Sequence, residues 1–175
     1  MMRLFIGIGL SDDAKELLAA EVAGMNIDGQ MTSIENYHIT LAFLGAREEE
    51  QIPQIEQLLD NAAAKRAPIP LAVRGMGHFG KPENALLFAA LAPSKPLYFL
   101  NAALRQLLKK AKEPFDTKPM MPHVTLARKV DVTDIDLEKP IPPITFTADR
   151  LTLFHSTRVE GELRYIPIYD AKFQK

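Results

Sequence analysis

The sequence predicts an α+β fold in two pseudo-symmetric lobes, and three observations favour it. Short apolar segments bounded by turn residues, typical of buried strands, alternate with segments whose apolar residues recur at helical spacing. One order of elements occurs twice: a buried strand, a serine cap, an amphipathic helix, a loop and a strand that begins His-x-Thr-Leu. The chain of 175 residues is long enough for one domain with a substantial core. We therefore expect residues 1–175 to form a single bilobal domain built from two pseudo-repeats.

The first repeat begins with a short apolar strand at residues 4–10, followed by a helix whose N-cap is Ser11. The apolar face of this helix is expected to contain Leu17, Leu18 and Val22. The elements expected next are a loop at 24–33, a strand at 38–44 that stops at Gly45, and a helix from Glu48 to about Lys65 that tolerates Pro53 in its first turn.

The second repeat begins with a predicted strand at 85–92 and a helix whose N-cap is Ser94. A strand at 71–79 and a turn at 80–84 precede it. The apolar face of this helix is expected to contain Leu97, Leu100, Leu104, Leu107 and Ala111. The remaining elements are expected to be a loop at 113–121, a strand at 123–128, an exposed connection at 131–143, and two strands at 144–155 and 163–173 joined through 156–162.

The two His-x-Thr-Leu segments contain the side chains that indicate a reaction. Side chains alternate between the two faces of a strand, so His38 and Thr40 share one face, as do His123 and Thr125. Pseudo-twofold symmetry would bring both imidazoles and both hydroxyls together in one cleft. Imidazole titrates near neutral pH, so one histidine can remove a proton while the other delivers one. The hydroxyls can bind the oxygens of an anion, which favours a reactive phosphodiester such as a 2',3'-cyclic phosphate.

Composition excludes several other classes of site. The absence of cysteine excludes disulfides, thiol catalysis and cysteine-based zinc sites. A net charge of −1 disfavours a general polyanion-binding surface, so a nucleic-acid contact is expected to be a local basic pocket. The longest apolar runs, such as residues 85–92, fall far short of the roughly twenty residues of a membrane span. No signal-peptide pattern is present. We expect a cytoplasmic protein with no membrane contact and no metal ion.

Four sequence blocks resemble one known family. RLFIGIGL at the start, NYHITLAFLG, MPHVTLAR and the late LTLFHS…LRYIPI are similar, in this order, to the 2H phosphoesterase superfamily. Within it they resemble the bacterial and archaeal RNA 2',3'-cyclic phosphodiesterases, the LigT or ThpR group once called 2'-5' RNA ligases. The resemblance implies a bilobal fold in which two antiparallel sheets face a central cleft and helices lie outside. It also implies a metal-independent enzyme that opens terminal 2',3'-cyclic phosphates to 2'-phosphates without a cofactor.

The resemblance also implies roles for individual residues. His38 corresponds to the proton donor and His123 to the proton acceptor, and Thr40 and Thr125 correspond to the phosphate-binding hydroxyls. Strand alternation by itself leaves the direction of proton flow open, because the two repeats look interchangeable.

Three further residues are possible substrate contacts. Arg128 matches an arginine of the family's second motif, but alternation places it on the face opposite His123 unless the strand bends. Phe43 occupies the corresponding position of the first repeat. Phe43 and Phe79 could each stack on a nucleobase.

Other polar residues have simpler interpretations. His78 and His155 each follow a late strand and are expected to cap a strand end, with a position near the cleft as the alternative. Zinc is rejected because neither motif has the spacing of a helical zinc site. Lys109, Lys110 and Lys112 fit a solvated helix end, and they could equally steer RNA toward the cleft. Surface positions are expected for Arg47, Lys81, Lys118 and Arg158, with contact to an RNA backbone as the alternative.

The expected substrates are RNA termini or nucleoside 2',3'-cyclic phosphates, bound by a monomer. Three alternatives remain open. The same site could ligate or cleave 2'-5' linkages, since one site catalyses a reaction in both directions. The motifs could bind an RNA end without turnover. The substrate could also be a small cyclic phosphate outside RNA metabolism.

Overall fold

A computed structural model describes all residues from Met1 to Lys175. Nine strands and three α-helices alternate along the chain, with short 3-10 turns at Ile34–Asn36, Glu49–Gln51 and Pro82–Asn84. None of the helices is long and apolar enough to span a membrane. The elements in chain order are β1 (Met2–Gly9), α1 (Asp12–Ala23), β2 (Gln30–Met31), β3 (His38–Arg47), α2 (Ile52–Ala63), β4 (Ile69–Phe79), β5 (Ala85–Leu91), α3 (Lys95–Lys110), β6 (His123–Val130), β7 (Ile144–Ala148), β8 (Arg150–Val159) and β9 (Glu162–Lys172).

The strands form two half-sheets that meet at the two His-x-Thr-Leu strands. The strand order is β7-β4-β5-β6-β3-β1-β8-β9, with the short β2 added to β6. All neighbours are antiparallel, and β3 and β6 are joined through a single residue pair, Ile39 and Val124. The half-sheets splay apart on either side of this pair. The predicted α+β fold, with two pseudo-symmetric sheets around a central cleft, is confirmed.

The lobes interleave along the chain, which the sequence did not indicate. We call β3-β1-β8-β9 the first lobe and β6-β5-β4-β7 the second lobe. The prediction of one strand at 144–155 is wrong. Residues Ile144–Ala148 pair with β4, whereas Arg150–Val159 pair with β1, so the chain crosses between lobes at Asp149. The hairpin that follows turns at Glu160 and Gly161, both with positive φ, and is shorter than the predicted connection.

The core lies between the outer face of the sheet and the helices. Ser11 and Ser94 cap α1 and α3 as predicted, since each hydroxyl accepts a backbone N–H at 3.2 Å. Leu17 is 56% exposed and does not belong to the predicted apolar face of α1, where Ala14 takes part instead. The buried side chains of α3 are Leu97, Leu100, Asn101, Leu104 and Leu108.

Two β-bulges change the alternation of side chains in the His-x-Thr-Leu strands. In β3 the pairing to β1 slips between Thr40 and Ala42, and in β6 the pairing to β5 slips between Thr125 and Ala127. A bulge inserts one extra residue and so shifts the side chains that follow it to the other face, until the pairing slips again after Phe43 in β3 and after Ala127 in β6. β3 also continues to Arg47 through Gly45, at φ 76°, rather than stopping there as expected.

Candidate active cleft

The cleft is centred on four polar side chains from β3 and β6. Antiparallel pairing of Ile39 with Val124 places His38 across from Thr125, and Thr40 across from His123. The two imidazoles therefore occupy one diagonal of a square and the two hydroxyls the other. All four side chains are half-buried and line the same cavity of about 720 Å³. The local twofold axis passes through the joined pair, which explains why the repeat supplies one histidine and one threonine from each strand.

His38 is held by hydrogen bonds at both ring nitrogens and by neighbouring aromatic rings. Its Nδ1 lies 2.8 Å from the carbonyl oxygen of Asn36, and its Nε2 lies 2.7 Å from the hydroxyl of Thr40. The rings of Phe5 and Tyr165 lie 4.7 and 5.0 Å from the imidazole, measured between centroids. These contacts fix the ring in one orientation, with Nε2 toward the threonine side of the cleft.

His123 has a similar but more open environment. Its Nδ1 lies 2.6 Å from the carbonyl oxygen of Met121. The rings of Phe79 and Phe88 lie 5.2 and 5.4 Å from its imidazole, measured between centroids. The hydroxyl of Thr125 makes no hydrogen bond to it. A ligand in the cleft therefore has free access to Nε2 of His123.

The hydrogen bonds define which ring nitrogens carry protons. A carbonyl oxygen only accepts, so Nδ1 of both His38 and His123 must donate. In neutral His38 the remaining Nε2 is unprotonated and accepts the hydrogen bond of the Thr40 hydroxyl. Both Nε2 atoms are thus available for proton transfer to or from a bound molecule.

Burial changes the pKa of His38 from that of an exposed histidine. It disfavours the charged imidazolium and lowers the pKa of His38 from 6.5 to about 4. The hydrogen bond to the Asn36 carbonyl opposes this shift, whereas positive charge on His123 and Lys15 adds to it. His38 is therefore neutral in the empty cleft at pH 7.

The two bulges bring Phe43 and Arg128 into the cleft. Each lies three residues beyond the threonine of its strand, and each lines the cavity. The irregularity that Arg128 needs to reach the cleft is therefore present, because the extra residue in β6 brings its side chain to the cleft face. Phe43 is 38% exposed, with its ring parallel to that of Phe5 at 6.1 Å.

Asn36 is a functional candidate that the sequence reasoning missed. It is 5% exposed, and its side chain donates to the carbonyl of Leu163 at 2.9 Å and accepts from the N–H of Tyr165 at 3.1 Å. The side chain thus fastens β9 to the turn whose carbonyl orients His38. The signal in the sequence was the polar residue two positions before His38. The corresponding position of the second repeat is Met121.

Two histidines and one arginine that the sequence analysis singled out lie outside the cleft. His78 and His155 pair with the core residues Leu87 and Leu4 and so occupy the helix-covered face, inside strands rather than at their ends. Arg47 is buried, not exposed, and donates to Glu113 at 3.2 Å.

Phe79 packs edge-on against His123, as described above, and is not among the residues that line the cleft. Arg158 does line it. The structure contains no group of three or more His, Cys, Asp or Glu side chains arranged to hold a metal ion.

Comparison with known proteins agrees with this geometry. The model of the 2'-5' RNA ligase superfamily matches residues 12–160. The chain belongs to this superfamily. The match confirms the resemblance to the 2H phosphoesterases that the two motifs predicted.

Relatives and solved structures extend the match to nearly the whole chain. A Thermotoga maritima protein named RNA 2',3'-cyclic phosphodiesterase is 26% identical over 185 residues, covering 99% of this chain and 96% of the relative. A Thermus thermophilus protein of the same name is 31% identical, covering 73% and 69%. Escherichia coli LigT in complex with 3'-AMP has the same fold, with a TM-score of 0.80 at 23% identity, covering 99% of this chain and 98% of LigT.

Proposed function

We propose that this protein is a hydrolase that opens terminal 2',3'-cyclic phosphates of RNA, or of nucleosides, to 2'-phosphates. The observation that carries the proposal is the square of two imidazoles and two hydroxyls in one cleft. The relatives named RNA 2',3'-cyclic phosphodiesterase support the substrate class. Because each lobe supplies half of the square, the active unit is the whole bilobal chain, acting as a monomer.

The proposed reaction needs two proton transfers on opposite sides of phosphorus. His123 Nε2 accepts a proton from water as the water oxygen bonds to phosphorus. The bond between phosphorus and O3' breaks, and His38 Nε2 delivers a proton to O3', leaving the phosphate on O2'. General acid–base catalysis of this kind contributes about 10²–10⁴-fold. Strain in the five-membered ring supplies part of the driving force, so this inventory suffices without a metal ion.

Binding of the substrate protonates His38, which then acts as the proton donor. In the empty cleft the pKa of His38 is about 4, so the ring is neutral at pH 7. A phosphodiester anion beside it favours the charged imidazolium and raises that pKa. The hydroxyl of Thr40, which donates to Nε2 in the empty cleft, then turns to a phosphate oxygen. Binding is therefore coupled to the uptake of one proton.

Thr40, Thr125 and Arg128 stabilise the charge that develops on the phosphoryl oxygens. The two hydroxyls occupy the diagonal that crosses that of the imidazoles, and Arg128 faces the same cavity from the bulged end of β6. Hydrogen-bond donors positioned before the reaction act most strongly where negative charge develops in the transition state. An arginine adds charge-assisted bonds to phosphate oxygens.

The test is hydrolysis of adenosine 2',3'-cyclic phosphate in EDTA, with the 2'- and 3'-phosphate products separated by chromatography. The expected result is turnover to adenosine 2'-phosphate by the wild type, lost in both His38→Ala and His123→Ala. His155→Ala is the matched control, because that histidine lies on the opposite face of the sheet. A folded wild type that forms no product, or turnover that requires an added divalent cation, would contradict the proposal.

A further inference from the structure

Three arginines in the cleft have no carboxylate partner. Arg3, Arg128 and Arg158 line the cavity, and none forms a salt bridge. The only carboxylate in the lining is Glu162, which is paired with Arg164 at 2.6 Å. The protein as a whole has a net charge of −1, so this local excess of positive charge is a property of the cleft. It exceeds what a single monoanionic cyclic phosphate requires.

The backbone of Arg3 lies about 20 Å along β1 from Gly9, the residue that pairs with His38. The guanidinium carbon of Arg3 is 5.7 Å from the centroid of the Phe43 ring. The ring of Phe5 separates Phe43 from His38, at centroid distances of 6.1 and 4.7 Å. Arg3 is thus two aromatic rings away from the imidazole, along the first lobe.

Arg158 extends the same line of positive charge. Arg3 pairs with Ser156 across β1 and β8, and Arg158 lies two residues further along β8 on the same face. Phe154, two residues in the other direction, packs against Phe5 at 4.9 Å. The first lobe therefore presents aromatic rings next to His38 and guanidinium groups beyond them. Arg158 is restrained only by a hydrogen bond to the Gly161 carbonyl at 3.0 Å, which leaves its other donors free.

The second lobe has no equivalent arrangement. Its strand β5 corresponds to β1 but begins only at Ala85, so no residue of that strand corresponds to Arg3. Leu86 lines the cleft where the first lobe has Phe5. The two ends of the pseudo-symmetric cleft therefore differ, and the end in the first lobe is suited to a nucleoside and a further phosphate.

We infer that Arg3 and Arg158 form a second anion site for the phosphate on the 5' side of the terminal nucleoside, which lies over Phe43. This inference rests on the proposed function. In-line attack places water and O3' on opposite sides of phosphorus, so an O3' protonated by His38 belongs to a nucleoside in the first lobe. The 5'-oxygen lies at the far side of that ribose, toward the two arginines. The site favours RNA ends over nucleosides that lack a 5'-phosphate.

The test uses two pairs of compounds that differ only in the 5'-phosphate. Turnover is compared for adenosine 2',3'-cyclic phosphate with and without a 5'-phosphate. Binding is compared by calorimetry for adenosine 2'-phosphate and adenosine 2',5'-bisphosphate. We expect the 5'-phosphate to improve both kcat/KM and affinity about tenfold in the wild type, and this ratio to decrease as salt concentration rises.

The variants Arg3→Gln and Arg158→Gln should each reduce this ratio toward one, and Arg3→Lys should retain part of it. The matched control is Arg74→Gln, because Arg74 is exposed on β4 and does not line the cleft. The proposal would be overturned if the 5'-phosphate had no effect in the wild type. It would also be overturned if both glutamine variants kept the full effect of the 5'-phosphate.

The two pairs of compounds separate this inference from the proposed function. Hydrolysis of both cyclic phosphates at equal kcat/KM would support the hydrolase and reject the second anion site. Preferential binding of the bisphosphate that depends on Arg3 and Arg158, with no hydrolysis of either cyclic phosphate, would support the site and reject the hydrolase.

Discussion

The two lobes present the same His-x-Thr pair to the cleft but surround it differently. His38 is enclosed by Phe5, Phe154 and Tyr165, and Thr40 hydrogen-bonds its Nε2. His123 contacts two rings and has no bond to its threonine. A repeated motif therefore does not produce two equivalent groups. Burial lowers the pKa of His38, and different surroundings can give two identical side chains distinct roles.

The largest expected effect comes from removing either imidazole. His38→Ala and His123→Ala should each lower kcat by about 10²–10⁴-fold for adenosine 2',3'-cyclic phosphate. The double variant should be little slower than the slower single variant, because the two groups act as a unit. Steady-state and single-turnover kinetics measure the effect. Losses that multiply in the double variant would show that the histidines act independently.

A smaller effect should distinguish the two threonines. Thr40→Val and Thr125→Val keep the side-chain shape, and each should lower kcat about 10- to 100-fold by removing a donor to the phosphoryl oxygens. Only Thr40 hydrogen-bonds a histidine in the empty cleft. Thr40→Val should therefore change the pH–rate profile, while Thr125→Val should not. Equal pH–rate profiles for the two variants would contradict the difference between lobes.

The positioning of the histidines provides a third comparison. The carbonyls of Asn36 and Met121 each accept a hydrogen bond from Nδ1 of a histidine. The side chain of Asn36 is hydrogen-bonded to β9, whereas Met121 is 59% exposed. Asn36→Leu should lower kcat about tenfold, shift the alkaline limb of the pH profile, and destabilise the fold by about 1–3 kcal/mol.

The matched change Met121→Ala should have little effect on kcat, on the pH profile or on stability. Kinetics at several pH values, together with urea denaturation, separate the two consequences of Asn36→Leu. If stability decreases while the pH profile and kcat stay unchanged, Asn36 has only a structural role.

The smallest effect concerns stability. The unfolded chain protonates His38 near pH 6.5, whereas the folded chain does so only near pH 4. Protons are thus bound preferentially by the unfolded state as pH falls through this range, and the free energy of unfolding should decrease. The contribution of His38 between pH 7 and pH 5 should be about 1–2 kcal/mol. Urea denaturation should show a weaker pH dependence in His38→Gln, and an equal dependence would contradict the lowered pKa.

The local elements of the fold and the square of two imidazoles and two hydroxyls were predictable, because they depend on short-range patterns. Alternation and the repeat placed His38, Thr40, His123 and Thr125 on one face. The bulges were not predictable, since they depend on pairing with β1 and β5, so the sequence alone left open whether Arg128 reaches the cleft.

Long-range pairing also explains the remaining errors. The break at Asp149 separates two strands that pair at different places in the sheet. The cleft position of Arg158 follows from the register between β8 and β1. Neither feature has a local signal in the sequence.

The most direct measurement of the central claim is NMR titration of the two imidazoles, assigned with the His38→Ala and His123→Ala variants. The account predicts that His38 in the empty protein stays neutral from pH 7 to near pH 5, with its proton on Nδ1. Saturation with adenosine 2'-phosphate should then raise its pKa and add a proton to Nε2 at neutral pH. A His38 that titrates near 6.5 in the empty protein, or one whose protonation is unchanged by the ligand, would contradict its role as the proton donor.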